Sequence, residues 1–149
     1  TTRLVGSEMC IRDSPFTDQE PWHSGWLELM KYTDLVMLDI KQIDEQEHIK
    51  LTGHSNKNIL AMARELSDMK KPVWIRHVLV PGGSDKDEYL HRLADFIHTL
   101  SNVERVEVLP YHTLGKFKWE NLGLSYPLEG VNPPTQERID NARKILGAI

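Results

Sequence analysis

The sequence predicts an α/β fold of about three parallel strands with flanking helices. Two observations carry this. Apolar runs at residues 35–38, 73–80 and 103–109 are separated by segments whose apolar residues recur at helical spacing. Each run also ends in polar or turn-forming residues: Asp39 and Lys41 after the first, Pro81-Gly82-Gly83-Ser84 after the second, Pro110-Tyr111-His112 after the third. Open α/β sheets keep their chemistry at the C-terminal ends of their strands. Strict alternation of strand and helix implies parallel neighbours joined by right-handed crossovers.

The elements follow in order. Residues 18–31 place Trp22, Trp26, Leu29 and Met30 at helical spacing, with Asp18 and Glu20 ahead of Pro21 as a start, and this aromatic stripe is expected to pack into the core. Residues 33–42, TDLVMLDIKQ, form the strand on which the rest is organised. Its run Leu35-Val36-Met37-Leu38 suits burial on both faces. Side chains alternate along a strand, so Met37, Asp39 and Lys41 project to one side and Val36, Leu38 and Ile40 to the other. The apolar side is expected to meet helices, and the charged side to look into a site.

Residues 44–51 are a short acidic helix that stops at Thr52-Gly53. A second helix starts from Ser55 or Asn56 as cap, with Ile59, Leu60, Ala63 and Leu66 as its stripe. Residues 73–80 are the second strand. Ser84 and Asp87 have the spacing of a capping box, with Asp replacing the usual Glu. The helix they start carries Tyr89, Leu90, Leu93, Phe96, Ile97 and Leu100 on one face. Residues 103–109 are the third strand, residues 113–134 read as irregular, and Thr135 caps a last helix with Ile139, Ala142, Ile145 and Leu146 inward.

Composition narrows the function. At 149 residues, 40% hydrophobic and 27% charged, the chain is of ordinary size and balance for one domain. A formal charge of −4 and no Lys/Arg cluster give no electrostatic footprint for nucleic acid. No apolar run nears the roughly 20 residues of a membrane span, and no signal-peptide pattern opens the chain, so a cytoplasmic protein is expected. Cys10 is the lone cysteine, which excludes a disulfide framework and a self-contained cysteine metal site. Residues 1–14 fit no periodicity. Their string VGSEMCIRDS resembles a translated sequencing adapter, the other reading being a natural disordered tail, and the fold is assigned to residues 15–149.

On pattern alone, Asp39 with Lys41 serves a fold as readily as a site. Arg76 inside a strand is costly to bury unless it meets a carboxylate, from the protein or from a ligand. Gly82-Gly83 allows close backbone approach, or simply a turn. His112 stands on a loop, where function concentrates, although a lone histidine is often bland. With no phosphate loop, nucleophile elbow or zinc pair, these residues amount to a cradle for a small zwitterionic or anionic ligand.

The segments TDLVMLDIKQ (33–42), VWIRHVLVPGGSD (73–85) and VERVEVLPYHTLGKFKW (103–119), with LTGHSNKNIL (51–60) and VNPP (131–134), resemble the C-terminal half of the pyruvate formate-lyase activating enzymes. The similarity runs from about Trp26 to Leu146. It implies half of a partial (β/α)6 radical S-adenosylmethionine barrel. In that family a [4Fe–4S] cluster cleaves S-adenosylmethionine to a 5′-deoxyadenosyl radical, which installs a glycyl radical on pyruvate formate-lyase. The resemblance also implies that Asp39, Ile40, Lys41, Gln42 and His112 line the S-adenosylmethionine site, that Arg76 matches an arginine there, and that Met37 and Asp39 border a monovalent cation. A flavodoxin donor and a monomeric state are the family expectation.

S-adenosylmethionine has a carboxylate, an ammonium, ribose hydroxyls and a sulfonium, so charges of both signs at strand ends suit it. Lys41 or Arg76 can take the carboxylate or hydroxyls, Asp39 a cation or the ammonium, and His112 the ribose or adenine. The CxxxCxxC cluster ligands and the Gly-Gly-Glu that grips the amino group find no match in this chain. It is therefore expected to be a fragment, inactive alone, that exposes the edge of its first strand. Two other readings remain: an activase for another glycyl-radical enzyme, or a non-catalytic α/β ligand-binding domain.

Overall fold

Alternating apolar runs and amphipathic segments give alternating strands and helices in the computed structural model, which describes residues 19–148. The proposed tail at 1–14 with Cys10, and the helix start at Asp18, lie outside those residues. In chain order the elements are α1 (Trp22–Lys31), β1 (Val36–Asp39), α2 (Glu45–Thr52), α3 (Lys57–Asp68), β2 (Val73–Leu79), α4 (Asp87–His98), β3 (Val103–Pro110), α5 (Lys116–Asn121) and α6 (Gln136–Leu146). The three strands form one parallel sheet in the order β1-β2-β3. All three C-terminal ends therefore lie along one edge. The fold is α/β with three parallel strands and flanking helices, as the sequence predicts.

Strand alternation sorts the sheet into two unlike faces. Val36, Leu38 and Ile40 of the first strand and its exit, Val73, Ile75 and Leu79 of β2, and Val106 and Val108 of β3 are buried. They share a core with Met30, Leu66, Leu90, Leu93, Ile139 and Leu146 from the helices. On the other face Met37 is 42% exposed, and Asp39, Trp74, Arg76, Arg105 and Glu107 are half-buried. The first strand is thus buried on one face only, because no helix among the described residues covers the Met37 side. The apolar run of residues 35–38 hides this asymmetry, since methionine is neutral to the pattern.

Helix ends follow local chemistry. Asp44 caps α2 by accepting from the Gln46 and Glu47 amides at 3.1 and 3.2 Å, and Gly53 at φ 80° closes that helix in the left-handed region. Thr135 caps α6 through the Arg138 amide. The capping box from Ser84 does not form: Lys86 occupies the cap position of α4 without a side-chain bond. Ser84 is fully buried and serves the strand exit, donating to the Val78 carbonyl at 2.6 Å and accepting from the Val80 amide at 2.9 Å. Asp87 instead ties α4 to α6, accepting from Arg138 at 2.8 Å and Asn141 at 2.9 Å, and the Arg138 bond holds its carboxyl below the usual range.

Two further expectations are corrected. In α1 only Met30 enters the core fully, while Trp22 is 73% exposed and Trp26 packs at the core margin. The stripe is right for a helix, but α1 buries little of it, with Leu29 also 39% exposed. Residues 113–134 are not wholly irregular, because a 3-10 turn (Thr113–Gly115) leads into α5.

Leu66 is 0% exposed, so Leu66→Ala is expected to cost about 2–5 kcal/mol of stability by denaturant unfolding. Trp22→Ala should stay within about 0.5 kcal/mol of the parent, as exposed positions do.

Candidate functional site

Parallel register brings the sequence-predicted residues together. Asp39 is the partner of Arg76 across β1 and β2, and Arg76 that of Glu107 across β2 and β3. A row of carboxylate, guanidinium and carboxylate therefore crosses the open face near its C-terminal edge. Arg76 Nε donates to Asp39 Oδ1 at 2.8 Å, and Lys41 Nζ donates to Asp39 Oδ2 at 3.1 Å. The carboxylate that a strand arginine requires is thus Asp39. Side-chain exposures of 22% for Asp39, 26% for Arg76 and 36% for Lys41 leave the group half desolvated and reachable. At such exposure the ion pairs alone contribute little to stability.

The cluster has hydrogen-bonding capacity left over. Asp39 takes one N–H from each cation. Among the described residues Arg76 Nη1 and Nη2 and the other hydrogens of Lys41 have no partner. Arginine carries five donors and lysine three. The surplus is therefore cationic and donor-rich, suited to a carboxylate or hydroxyls. Each Asp39 oxygen keeps a second lone pair, and Met37 opens on the same side of β1.

The remaining predicted residues stand differently. Ile40 turns its side chain into the core, and its backbone bridges to β2 by donating to the Arg76 carbonyl at 3.0 Å. Gln42 is 1% exposed, and its amide is used inside the protein, donating to the Gly83 carbonyl at 2.9 Å and accepting from the Asp44 amide at 3.1 Å. His112 follows β3 at the same edge. It is exposed and has no hydrogen bond to Asp39, Lys41 or Arg76 among the described residues. Gly82, at φ 74°, makes the turn for which glycine is needed. Tyr111 beside His112 is buried and bonds to the Tyr126 hydroxyl at 2.8 Å, which pushes its phenol up to about 12 and ties residues 122–131 to the strand exit.

Beneath the cradle lies a polar layer that sequence reasoning missed. His77, Asn56, Gln42 and Ser84 are all buried. Asn56 donates to the carbonyls of Gln42 at 3.1 Å and Ile43 at 2.8 Å, which explains why it sits at the start of α3 without capping it. His77 faces the Ile40 carbonyl through Nδ1 at 2.9 Å and the Ser84 carbonyl through Nε2 at 3.2 Å. These bonds fix both strand exits that carry the cradle. The signal in the strands was a polar residue within an otherwise apolar inward alternation, His77 among Val73, Ile75 and Leu79, and Gln42 after Leu38 and Ile40. Trp74, Arg105 and Glu107 were missed too. Arg105 lies over the Trp74 ring at 5.0 Å and pairs with Glu107 at 2.9 Å, extending the charged face across β3. A concavity of about 360 Å³ at the start of β3, lined by Ile97, Leu100, Val103 and Leu146 among others, holds none of the predicted residues.

No protein-family model matches the chain. It is 62% identical over 118 residues to the pyruvate formate-lyase-activating enzyme of Streptococcus mutans, spanning 79% of this chain and 45% of that protein. To the enzyme of the same name from Staphylococcus epidermidis it is 55% identical over 145 residues, 97% of this chain and 56% of that one. The chain thus spans about half the length of the curated relatives it matches. Among solved structures, a domain of pyruvate-formate lyase-activating enzyme from Bacteroides vulgatus matches with a TM-score of 0.69 at 22% identity, over 84% of this chain and 68% of that one. At that identity the likeness bears on fold alone.

Burial holds the His77 imidazole below its ordinary value of 6.5, its two carbonyl contacts pulling upward and the Lys41 charge adding to the depression. Between the folded and unfolded values the unfolded chain binds more protons, so this group's contribution is present above about pH 6.5 and lost as pH falls. The urea midpoint is therefore expected to drop from about pH 7.5 to about pH 5 by less in His77→Asn than in the parent, measured by circular dichroism.

Proposed function

We propose that this chain is the C-terminal half of a radical S-adenosylmethionine activating enzyme acting on a pyruvate formate-lyase, and that its Asp39, Lys41 and Arg76 cradle holds S-adenosylmethionine. The homology at 55–62% identity to curated activating enzymes supports the class. The observation that carries the site is the surplus of donors on Arg76 and Lys41 beside a shared carboxylate.

The donor set fits an amino-acid nucleoside. Arg76 and Lys41 hold its carboxylate or ribose hydroxyls by charge-assisted bonds, and Asp39 keeps both cations from turning away. Asp39 with Met37 borders a monovalent cation, held by the lone pairs that the Asp39 carboxylate keeps beside its two bonds. His112, exposed on its loop, hydrogen-bonds the ribose or adenine. The backbone of Ile40 and Gln42 forms the floor. When bound, S-adenosylmethionine supplies the adenosyl group whose reductive release allows a hydrogen atom to be taken from a glycine of the lyase.

The described residues do not fit the cluster. No group of three or more His, Cys, Asp or Glu side chains there could hold a metal ion. In this reading the ligands of the [4Fe–4S] cluster belong to the half of the relatives that this chain does not span, and the chain alone is inactive. No helix among the described residues is long and apolar enough to cross a membrane. A cytoplasmic monomer with a flavodoxin as electron donor is part of the same reading.

Each cation makes a charge-assisted bond worth about 1.5–3 kcal/mol, so Lys41→Ala and Arg76→Ala should each weaken S-adenosylmethionine binding roughly 10- to 100-fold by calorimetry. Lys118→Ala, on exposed α5, should leave it unchanged. Undiminished affinity in both cradle variants would remove the cradle from the site.

A further inference from the structure

Lys41 reaches Asp39 across only two residues, so its placement depends on the peptide at Ile40, between them. That peptide is held on both sides. The Ile40 amide donates to the Arg76 carbonyl at 3.0 Å, and the Ile40 carbonyl accepts from His77 Nδ1 at 2.9 Å. His77 is 2% exposed, next to Arg76 in sequence, and on the opposite face of β2 from it. The strand thus presents Arg76 to the cradle from one face and supports the cradle's backbone from the other.

A neutral imidazole has one donor and one acceptor, yet both ring nitrogens of His77 face carbonyl oxygens. Only one contact can then be an N–H···O bond. The shorter, to Ile40, takes the proton, while Nε2 turns its lone pair toward Ser84 at 3.2 Å. Burial favours this neutral state over the cation that would satisfy both. A side chain chosen only to fill the core would be apolar here, as at Ile75 and Leu79 on the same face. The imidazole is retained at the point where the backbone between Asp39 and Lys41 needs a donor.

We propose that His77 is a positioning residue whose Nδ1–H fixes the Ile40 carbonyl and so holds Lys41 on Asp39, ready for the ligand. The binding arm of the test rests on the S-adenosylmethionine reading; the clamp itself does not.

Asparagine can place its amide where Nδ1 stands, glutamine where Nε2 stands, and phenylalanine fills the volume with neither. The ligand-free readout is the order parameter of the Lys41 ammonium by ¹⁵N relaxation in this chain, with the His77 tautomer from its ring nitrogen shifts. The expected result is the Nδ1–H tautomer, an ordered Lys41 in the parent and in His77→Asn, and a mobile one in His77→Gln and His77→Phe. In calorimetry with S-adenosylmethionine, the latter two should bind about tenfold more weakly than His77→Asn at temperatures where all are folded. A merely structural histidine would lower the melting temperature without separating Asn from Gln. Equal Lys41 order in all four proteins overturns the clamp. A parent that binds no S-adenosylmethionine sinks the ligand reading instead, and Lys41 order still decides the role of His77.

Discussion

One carboxylate organises the open face of this protein. Asp39 stands where β1 ends and receives Arg76 from the neighbouring strand and Lys41 from its own exit. A strand arginine without a carboxylate would be costly to desolvate, and a lysine two residues from a strand end would swing into water. With Asp39 between them both are fixed, and their remaining donors form a compact cationic patch. The sheet had to be parallel for this to occur, because only then does Asp39 fall opposite Arg76 at the same edge from which the loops emerge.

The two faces of the sheet divide the work. The apolar face, with Ile40, Ile75, Val106 and their neighbours, is covered by helices and supplies the stability. The other face keeps Met37, Asp39, Arg76 and Glu107 partly open. Between them, the buried side chains of His77, Asn56, Gln42 and Ser84 satisfy backbone carbonyls and amides that the strands leave behind where they stop. Strand exits are where ladder hydrogen bonds run out, so a site built there needs such substitutes if its geometry is to be reproducible.

Much of this was legible in the sequence, for physical reasons that differ by residue. The strand at 73–80 read clearly because a run rich in β-branched residues and bounded by Pro on each side leaves few alternatives, that at 103–109 because it runs from the Ser101-Asn102 turn to Pro110, and a carboxylate for Arg76 followed from the cost of burying it. Period two put Asp39 and Lys41 on one side. Less legible was anything decided across the sheet. Alternation put Met37 on the side of Asp39, but the continuous apolar run hid how open that side is, with Met37 42% exposed. Ser84 has the spacing of a cap, yet the strand exit claimed its hydroxyl first. Gln42 and Asn56 looked like a ligand contact and a helix cap, whereas both amides serve carbonyls about a dozen or more residues away in sequence. Hydrogen bonds of that range leave no periodic trace.

The central claim is that the β1 exit and Arg76 form a seat for S-adenosylmethionine. Its most direct test is a titration of the ¹⁵N-labelled chain with that ligand, followed residue by residue through amide and side-chain shifts. The account predicts perturbations centred on Asp39, Lys41 and the Arg76 guanidinium, extending to the loop of Gly82 and Gly83 and to His112. Saturable binding whose shifts cluster elsewhere, with Asp39 and Arg76 unmoved, would contradict it.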